Sequence, residues 1–424
     1  MNIMNTTRAT TAAEAALVDG FVERVGELPG NTEVVQARDV ALEALKIQGL
    51  PSRRIESWHY TDLRTLLRGV APVDAGASGA VLAPVVAGST VAVVSNGTAL
   101  SARNHDFLNF VPLREKLLDG SFAPLLVTRG TDDTIGQINA AYVSDGWDVA
   151  IAEGAALEHP LELQNIQPGG QAHIRFSVKA GAGSKATIIE RQRGGEGAGF
   201  STSISHLALE DNAEIVWIVL REHGDDSTQF GQFNATLGKD ARLTLFVVNA
   251  GGKLVRHEVH VLAQGEGSDF QLRGVNLLSG DSHTDITMTL GHLVENTTSV
   301  QIIRNVVTGN ARGVFQGQIK VNRIAQKTDA RMACNTLLLS DEAEFDAKPE
   351  LEIFADDVAC GHGATVTEIN HDHLFYLMAR GIPESEARGL LVKAFVAEII
   401  EELEDETLVE ALENILDEWL DAHI

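Results

Sequence analysis

Cysteine is nearly absent from this sequence: Cys334 and Cys360 are the only two among 424 residues. Two thiols cannot build a disulfide framework, and such low usage fits a reducing cytoplasm, where we expect the protein to reside. A metal site made of thiolates must therefore take ligands from elsewhere. No apolar run approaches the roughly 20 residues that a membrane span needs.

Positive charge is also scarce. The 33 lysines and arginines are outnumbered by 59 acidic residues, which gives a net charge of −26. An acidic surface repels phosphate backbones and anionic lipids, so we expect binding neither to nucleic acid nor to membranes. The chain is long enough for two or three domains with a large buried core.

The motifs of common enzyme classes are missing. Gly181-Ala-Gly-Ser-Lys185 is glycine-rich but lacks the Gly-Lys-Ser/Thr of a phosphate-binding loop, and we interpret it as a turn. The sequence has no dinucleotide fingerprint, no Gly-x-Ser-x-Gly elbow and no His-Glu-x-x-His helix. We therefore predict that this chain binds no nucleotide.

Hydrophobic spacing divides the chain into three parts. Apolar residues recur at helical spacing from Ala12 to Leu28 and from Thr32 to Leu50, within a helical and mixed N-terminal region at 1–135. Residues 136–366 lose this spacing and form short β-rich runs separated by Gly, Asn, Asp and Thr. Helical spacing returns in residues 367–424.

A weak repeat runs through the β-rich region. A polar turn with a small residue precedes an apolar run that contains Thr187, Ile215, Leu243, Phe270 and, as a fifth copy, Val300. These positions lie 27 to 30 residues apart. A fixed period in this range indicates stacked units and predicts a parallel β-helix. An antiparallel sandwich, whose turns also recur regularly, is the alternative.

The pair Cys360 and His362 is the notable chemical feature. On a strand, residues i and i+2 share a face, so thiolate and imidazole would lie side by side. These ligands suit iron, zinc or an iron–sulfur cluster, but two of them do not complete a tetrahedral site. A small buried cysteine beside a surface histidine is the alternative. His371 and His373 lie in a predicted helix, where this spacing makes the side chains diverge.

The C-terminal region has an apolar stripe. It consists of Leu390, Leu391, Ala394, Phe395 and Ile399, and leucines continue through the acidic tail. Packing within the chain is one interpretation of the stripe, and a partner-binding pair of helices is the other.

Two segments resemble the SufD family. The segment Lys348-Pro-Glu-Leu-Glu-Ile-Phe-Ala-Asp-Asp-Val-Ala-Cys-Gly-His-Gly-Ala-Thr365 is similar to its signature, and the similarity continues to Phe395. Pro51-Ser-Arg-Arg-Ile-Glu-Ser-Trp-His-Tyr-Thr61 resembles its N-terminal motif, in which we expect Trp58 and Tyr60 to form an apolar anchor. SufB-like chains carry a different stretch at the Cys360 position. The family frequently has glycine at the position of Thr367, so this chain departs from the family pattern there.

The resemblance implies a right-handed parallel β-helix core flanked by helical regions. It implies a complex with SufB, which would pair through the β-helix, and with two copies of the ATPase SufC, which would dock on the C-terminal helices. Cys360 and His362 match the family's functional pair and would contribute to a transient iron–sulfur cluster shared with SufB. The sequence does not indicate whether flavin binds or whether the chain forms a homodimer without partners.

Two other functions are open at this stage. One is a β-helix polysaccharide lyase or hydrolase, for which Asp356 and Asp357 are the obvious carboxylates, although strand neighbours point to opposite faces. The other is a purely structural partner of SufB. Cys334, in an apolar stretch, is expected to pack in the core.

Overall fold

The computed structural model describes residues 9–74, 76–77, 79–195, 197–403 and 405–423. The N-terminal elements are α1 (Ala12–Arg24), α2 (Thr32–Gln48), α3 (Leu63–Leu66), β1 (Thr90–Ser95), β2 (Thr98–Ser101), β3 (Leu108–Pro112), α4 (Leu113–Asp119) and α5 (Thr134–Tyr142). The C-terminal helices are α6 (His371–Met378), α7 (Glu384–Ile400) and α8 (Glu406–His423).

Among the described residues, sixteen strands lie between these two groups of elements. They are β4 (Asp145–Ile151), β5 (Leu161–Gln167), β6 (Gly170–Ala180), β7 (Lys185–Gly194), β8 (Gly199–Leu209), β9 (Glu214–His223), β10 (Thr228–Leu237), β11 (Arg242–Gly251), β12 (Leu254–Ala263), β13 (Asp269–Leu278), β14 (His283–His292), β15 (Thr298–Val307), β16 (Arg312–Val321), β17 (Asp329–Leu338), β18 (Glu344–Ile353) and β19 (Ala359–Glu368).

The strands form a parallel β-solenoid. Odd-numbered strands from β5 to β19 pair in one sheet and even-numbered strands from β4 to β18 in the other, so each coil gives one strand to each sheet. These neighbours within a sheet are parallel, as in β9 with β11 and β10 with β12. The predicted β-helix is therefore confirmed, and the antiparallel sandwich is wrong.

A left-handed backbone residue opens each repeat. Positive φ angles occur at Gly183, Asn212, Asp240, Gly267 and Asn296, which are mostly residue types that tolerate this conformation. The next residue in each copy is small and almost fully buried, as at Ala213 and Ala241. The third residue after the turn points into the solenoid. The repeat in the sequence therefore marks one corner of the solenoid, which recurs once in every coil.

Two members of the predicted repeat are misaligned by one residue. Ile215, Leu243 and Phe270 pair directly and lie in the core between the sheets. The residue that pairs with Ile215 on β7 is Ala186, and the residue that pairs with Phe270 on β15 is Ser299. Because strand side chains alternate between faces, Thr187 and Val300 cannot belong to this inward-facing column.

The β-rich part begins earlier than residue 136. Strands β1, β2 and β3 already belong to the two sheets, while α5 spans the predicted boundary. At the other end, β19 extends two residues beyond 366. Residues 1–8 of the predicted N-terminal region lie outside the described residues. Among the described helices, none is long and apolar enough to cross a membrane.

The N-terminal region packs on the outer face of the even-numbered sheet, and a buried arginine forms part of this contact. Arg256 on β12 is fully buried and lies 3.8 Å from the centre of the Trp58 ring. Its guanidinium donates to the backbone oxygen of Ser57 at 2.7 Å, to Glu258 at 3.0 Å and to Asp285. The expected anchor role of Trp58 is thereby confirmed. Trp58 contacts the charged guanidinium of Arg256 as well as apolar residues.

The C-terminal helices cover the outer face of the odd-numbered sheet. Buried residues of α7 and α8, among them Val396 and Leu412, share one apolar cluster with sheet residues such as Phe246. Within the predicted stripe, Ile399 is buried, but Leu390 is 46% exposed. Packing within the chain therefore accounts for part of the stripe, because the solenoid supplies a second apolar surface.

Candidate functional site

Cys360 and His362 lie on β19, the last strand of the solenoid. Cys360 pairs with Ala330 on β17, and His362 pairs with Met332. Both partners belong to the apolar core between the sheets, and the Cys360 side chain packs against that core. Because they are two residues apart on a strand, Cys360 and His362 face the same side, which is the inside of the solenoid.

The solenoid is open at this end. Strand β19 ends the odd-numbered sheet and β18 ends the even-numbered sheet, so neither has a described strand neighbour on its outer side. Cys360 is half-buried and His362 is exposed. An edge strand offers unpaired backbone donors and acceptors to another chain.

A cavity of about 550 Å³ adjoins the pair. Besides Cys360 and His362, it is lined by Met332 on β17 and by Gln301 on β15. Gln301 is fully buried, and neither its side-chain oxygen nor its nitrogen has a hydrogen-bond partner among the described residues. The lining also includes Val300, Arg331 and Gly361, which lie on the other face of these strands. The cavity therefore adjoins the strands that carry the thiol, the imidazole, the thioether and the unpartnered amide.

Sequence reasoning missed Met332 and Gln301. These residues precede His362 by one and two coils, and the strand pairing places all three in one column. The repeat could have revealed this column, because one period of about 30 residues separates each of its members from the next. The misalignment of Val300 by one residue concealed it.

The two thiols differ in environment. Burial raises the pKa of the Cys334 thiol to about 12, although hydrogen bonds with Asn305 and Thr336 act in the opposite direction. Burial also raises the pKa of Cys360, and the nearby charge of Asp329 adds to this effect. Cys334 is 1% exposed, so its expected place in the core is confirmed.

We predict that only Cys360 reacts with a thiol reagent such as dithiobis(nitrobenzoate) at pH 8. With a pKa near 12, about one in 10⁴ Cys334 thiols is ionised at this pH, and the side chain is inaccessible as well. The folded chain should release one equivalent of thionitrobenzoate. Cys360→Ser should remove this reaction, whereas Cys334→Ala should retain it. Two equivalents from the folded wild type would contradict the assignment.

The other candidate residues lie apart from this site. His371 and His373 are exposed in the first turn of α6, whose N-cap is Asn370. Asp356 and Asp357 are exposed in the connection between β18 and β19, not on a strand as assumed, and Asp357 forms an ion pair with Lys327. Within the described ranges, no three His, Cys, Asp or Glu residues are grouped so that they could hold a metal ion.

Comparison with known proteins identifies the family. Residues 163–395, which span β5 to α7, match the SufBD core domain of the SUF system for FeS cluster assembly. The chain is 30% identical to the iron–sulfur cluster assembly protein SufD of Escherichia coli, over 87% of this chain and 88% of the relative. It is 27% identical to a SufBD family protein of Synechocystis, over 92% and 90%. A Mycobacterium tuberculosis SufBD family protein is 26% identical over 92% of both chains. The chain therefore belongs to the SufBD family of iron–sulfur cluster assembly proteins and is SufD-like.

Proposed function

We propose that this chain is a non-enzymatic scaffold subunit that contributes Cys360 and His362 to a cluster-forming site completed by a SufB-like partner. The observation that carries the proposal is the position of this pair. Two ligands of the kinds that iron–sulfur clusters accept lie on a terminal strand, on one face and beside a cavity of about 550 Å³. The site of action we propose is the cytoplasm.

The open end of the solenoid suits pairing with another solenoid. Strands β18 and β19 are both edges, so a partner's strands can continue both sheets through backbone hydrogen bonds. Such pairing would cover the exposed His362 and bring the partner's ligands to the cavity. A homodimer would use the same edges, and the size of the isolated chain in solution distinguishes the two states.

A site shared between two chains fits the task of a scaffold. The transient iron–sulfur cluster is the cargo here, and it must leave after assembly. Two ligands from this chain hold it incompletely, so release does not require this chain to unfold. Exposure at the rim leaves His362 accessible to incoming iron, while the half-buried Cys360 is held by the core.

We predict that His362→Ala impairs cluster formation without destabilising the chain. The side chain is exposed and has no hydrogen bond with a described residue, so its loss should change stability by less than about 0.5 kcal/mol. Loss of a ligand should lower the iron and sulfide bound after reconstitution with the SufB-like partner and the ATPase by about tenfold or more. Absorbance of the cluster and iron analysis measure this.

His159→Ala is the matched control, because His159 is an exposed histidine remote from β19. Cys360→Ala is a less clean test, because the thiol also packs against the core. Normal cluster formation by His362→Ala, with an intact complex, would remove the ligand role and leave a purely structural partner of SufB.

We further propose that the ATPase docks on a patch around α6. The patch consists of Phe375, Tyr376, Met378 and Leu390, which are 73%, 55%, 41% and 46% exposed. Three of these residues lie on α6 and Leu390 lies on α7, which packs against α6. Large exposed apolar residues on neighbouring elements are typical of a protein interface. The buried faces of α7 and α8 are occupied by the solenoid and cannot serve this purpose.

We predict that Phe375→Asp weakens binding of the SufC-like ATPase by about 100-fold, as for a central aromatic contact. The folded chain should keep its thermal stability, since Phe375 is largely exposed. Ile47→Asp, at a residue of α2 that is 78% exposed, is the control and should bind normally. Unchanged ATPase binding by Phe375→Asp in a titration would place the dock elsewhere.

A carbohydrate-active β-helix enzyme is the competing function. Its candidate carboxylate Asp357 is held by Lys327 outside the strands, which disfavours this alternative. Co-purification of the chain with an ABC-type ATPase would exclude the enzyme, whereas cleavage of a polysaccharide by the isolated chain would support it.

A further inference from the structure

A second cavity lies at the opposite end of the solenoid from Cys360. It has a volume of about 460 Å³ and lies between α1, the turn after β1 and the start of β6. Arg24, Arg114 and His173 contribute polar side chains to its lining, and Leu28 and Ala172 contribute apolar surface. The proposed scaffold function makes no use of this cavity.

His173 presents an unused hydrogen-bond donor. The side chain is only 2% exposed, its Nδ1 lies 2.8 Å from the hydroxyl of Thr202, and its Nε2 has no partner among the described residues. Asn139 donates to the same hydroxyl oxygen at 2.9 Å, so the hydroxyl hydrogen is directed to His173 Nδ1. The remaining proton of the neutral ring is then on Nε2.

The neutral form of His173 follows from its surroundings. Burial and, to a smaller extent, the positive charge of Arg24 lower the pKa of His173 to about 3. Tyr142 stacks on one side of the ring, with 4.9 Å between centroids, and fixes its orientation. A buried N–H without an acceptor is unfavourable, which indicates that something else supplies the acceptor.

The two arginines are also unengaged. Neither guanidinium of Arg24 or Arg114 forms an ion pair or hydrogen bond with a described residue. Glu27 is the carboxylate that lines the cavity with them, so cationic groups are in the majority. The Tyr142 hydroxyl is not free, because it donates to the backbone oxygen of Leu17.

From these contacts we infer that the cavity binds a small molecule that carries an oxyanion, either phosphate or carboxylate, attached to an apolar group. Guanidinium groups suit both oxyanions, and the imidazole N–H adds a third donor. The volume exceeds that of a bare phosphate ion, and Leu28 and Ala172 provide the apolar contact.

Calorimetric titration of the full chain with four probes tests this inference. Phenyl phosphate and benzoate carry both features and separate the two oxyanions, inorganic phosphate lacks the ring, and phenol lacks the charge. We expect saturable binding of one or both of the first two, at least about tenfold tighter than inorganic phosphate or phenol. Equal binding of phenol would remove the oxyanion from the inference.

Arg24→Gln and Arg114→Gln should each weaken the binding by about tenfold, whereas Arg323→Gln, at an exposed arginine near the other end of the solenoid, should leave it unchanged. His173→Phe keeps the ring and removes the donor, and should also weaken binding. If that buried substitution prevents folding, the two arginine variants alone test whether the cavity binds the oxyanion. Absence of saturable binding at millimolar concentrations, or binding unaffected by both arginine variants, overturns the inference. None of these readouts depends on cluster assembly.

Discussion

Acidification from pH 7 to pH 5 is expected to unfold this chain. Burial lowers the pKa of His173, His206 and His223 to about 3, and that of His283 and His292 to about 4. These side chains lie on the solenoid strands, where protonation would place a charge that water solvates poorly. The folded state therefore holds them neutral.

The sign of the effect follows from proton linkage. The pKa values in the folded chain lie below the unfolded value of 6.5, so the stabilisation is present above pH 6.5 and is lost as pH falls. Each histidine that takes up a proton only on unfolding contributes about 1.4 kcal/mol per pH unit. Five of them would remove on the order of 5 kcal/mol by pH 5.5, which is comparable to the stability of an ordinary domain.

Glu258 adds to the loss at lower pH. Burial raises the pKa of Glu258, but the charges of Arg256 and Arg129 and the hydrogen bond with His260 lower it well below its usual range. The stabilisation from this carboxylate is present above its unfolded pKa and disappears as acid protonates it.

Denaturant unfolding at pH 7.5, 6.5 and 5.5 measures the slope of stability against pH. His223→Gln should reduce the loss of stability between pH 6.5 and 5.5 by about 1 kcal/mol, because the proton taken up by this histidine on unfolding is removed. His371→Gln, at an exposed position, controls for the loss of an imidazole as such. A free energy of unfolding that stays constant from pH 7.5 to 5.5 would contradict the prediction.

Arg256→Met is expected to lower the free energy of unfolding by about 3–5 kcal/mol. Removal of the guanidinium leaves the buried carboxylates of Asp285 and Glu258 without their main counter-charge, and a broken buried pair costs this much. The contact with the Trp58 ring is lost as well. The N-terminal region should loosen from the solenoid first, because Arg256 also binds the backbone of Ser57.

Denaturant unfolding and proteolysis near Trp58 measure these effects. Arg242→Met is the matched control, because Arg242 is exposed at the start of β11 and should change stability by less than about 0.5 kcal/mol. Adding Glu258→Gln and Asp285→Asn to Arg256→Met should recover part of the loss if unpaired charge is its cause. A loss below about 1 kcal/mol in Arg256→Met would show that the arginine does not hold the two parts together.

The candidate site could be predicted only in part. The strand spacing of Cys360 and His362 placed them on one face, and their position on β19 agrees with it. The sequence did not indicate that this face is the inward one or that Gln301 and Met332 border the same cavity. Those facts depend on which residues of separate coils pair, and a shift of one residue reverses the face.

The C-terminal helices show the same limit. Their apolar residues were evident, but periodicity cannot tell whether a neighbouring sheet or another chain covers them. The solenoid buries Ile399 and Val396, and the exposed apolar residues are those around Phe375 on α6.

The sequence by itself predicted the solenoid in preference to a sandwich, because the turn residues Gly183, Asn212, Asp240 and their equivalents recur once per coil, and such turns are local. It also indicated the family, because the motif residues from Lys348 to Phe395 are adjacent in the sequence and can be compared without the structure. Only the tertiary structure decided how the charges of Arg256 are balanced, which histidines are held neutral, and where the coil ends open. These depend on groups brought together across tens to hundreds of residues, and local sequence does not encode their distances.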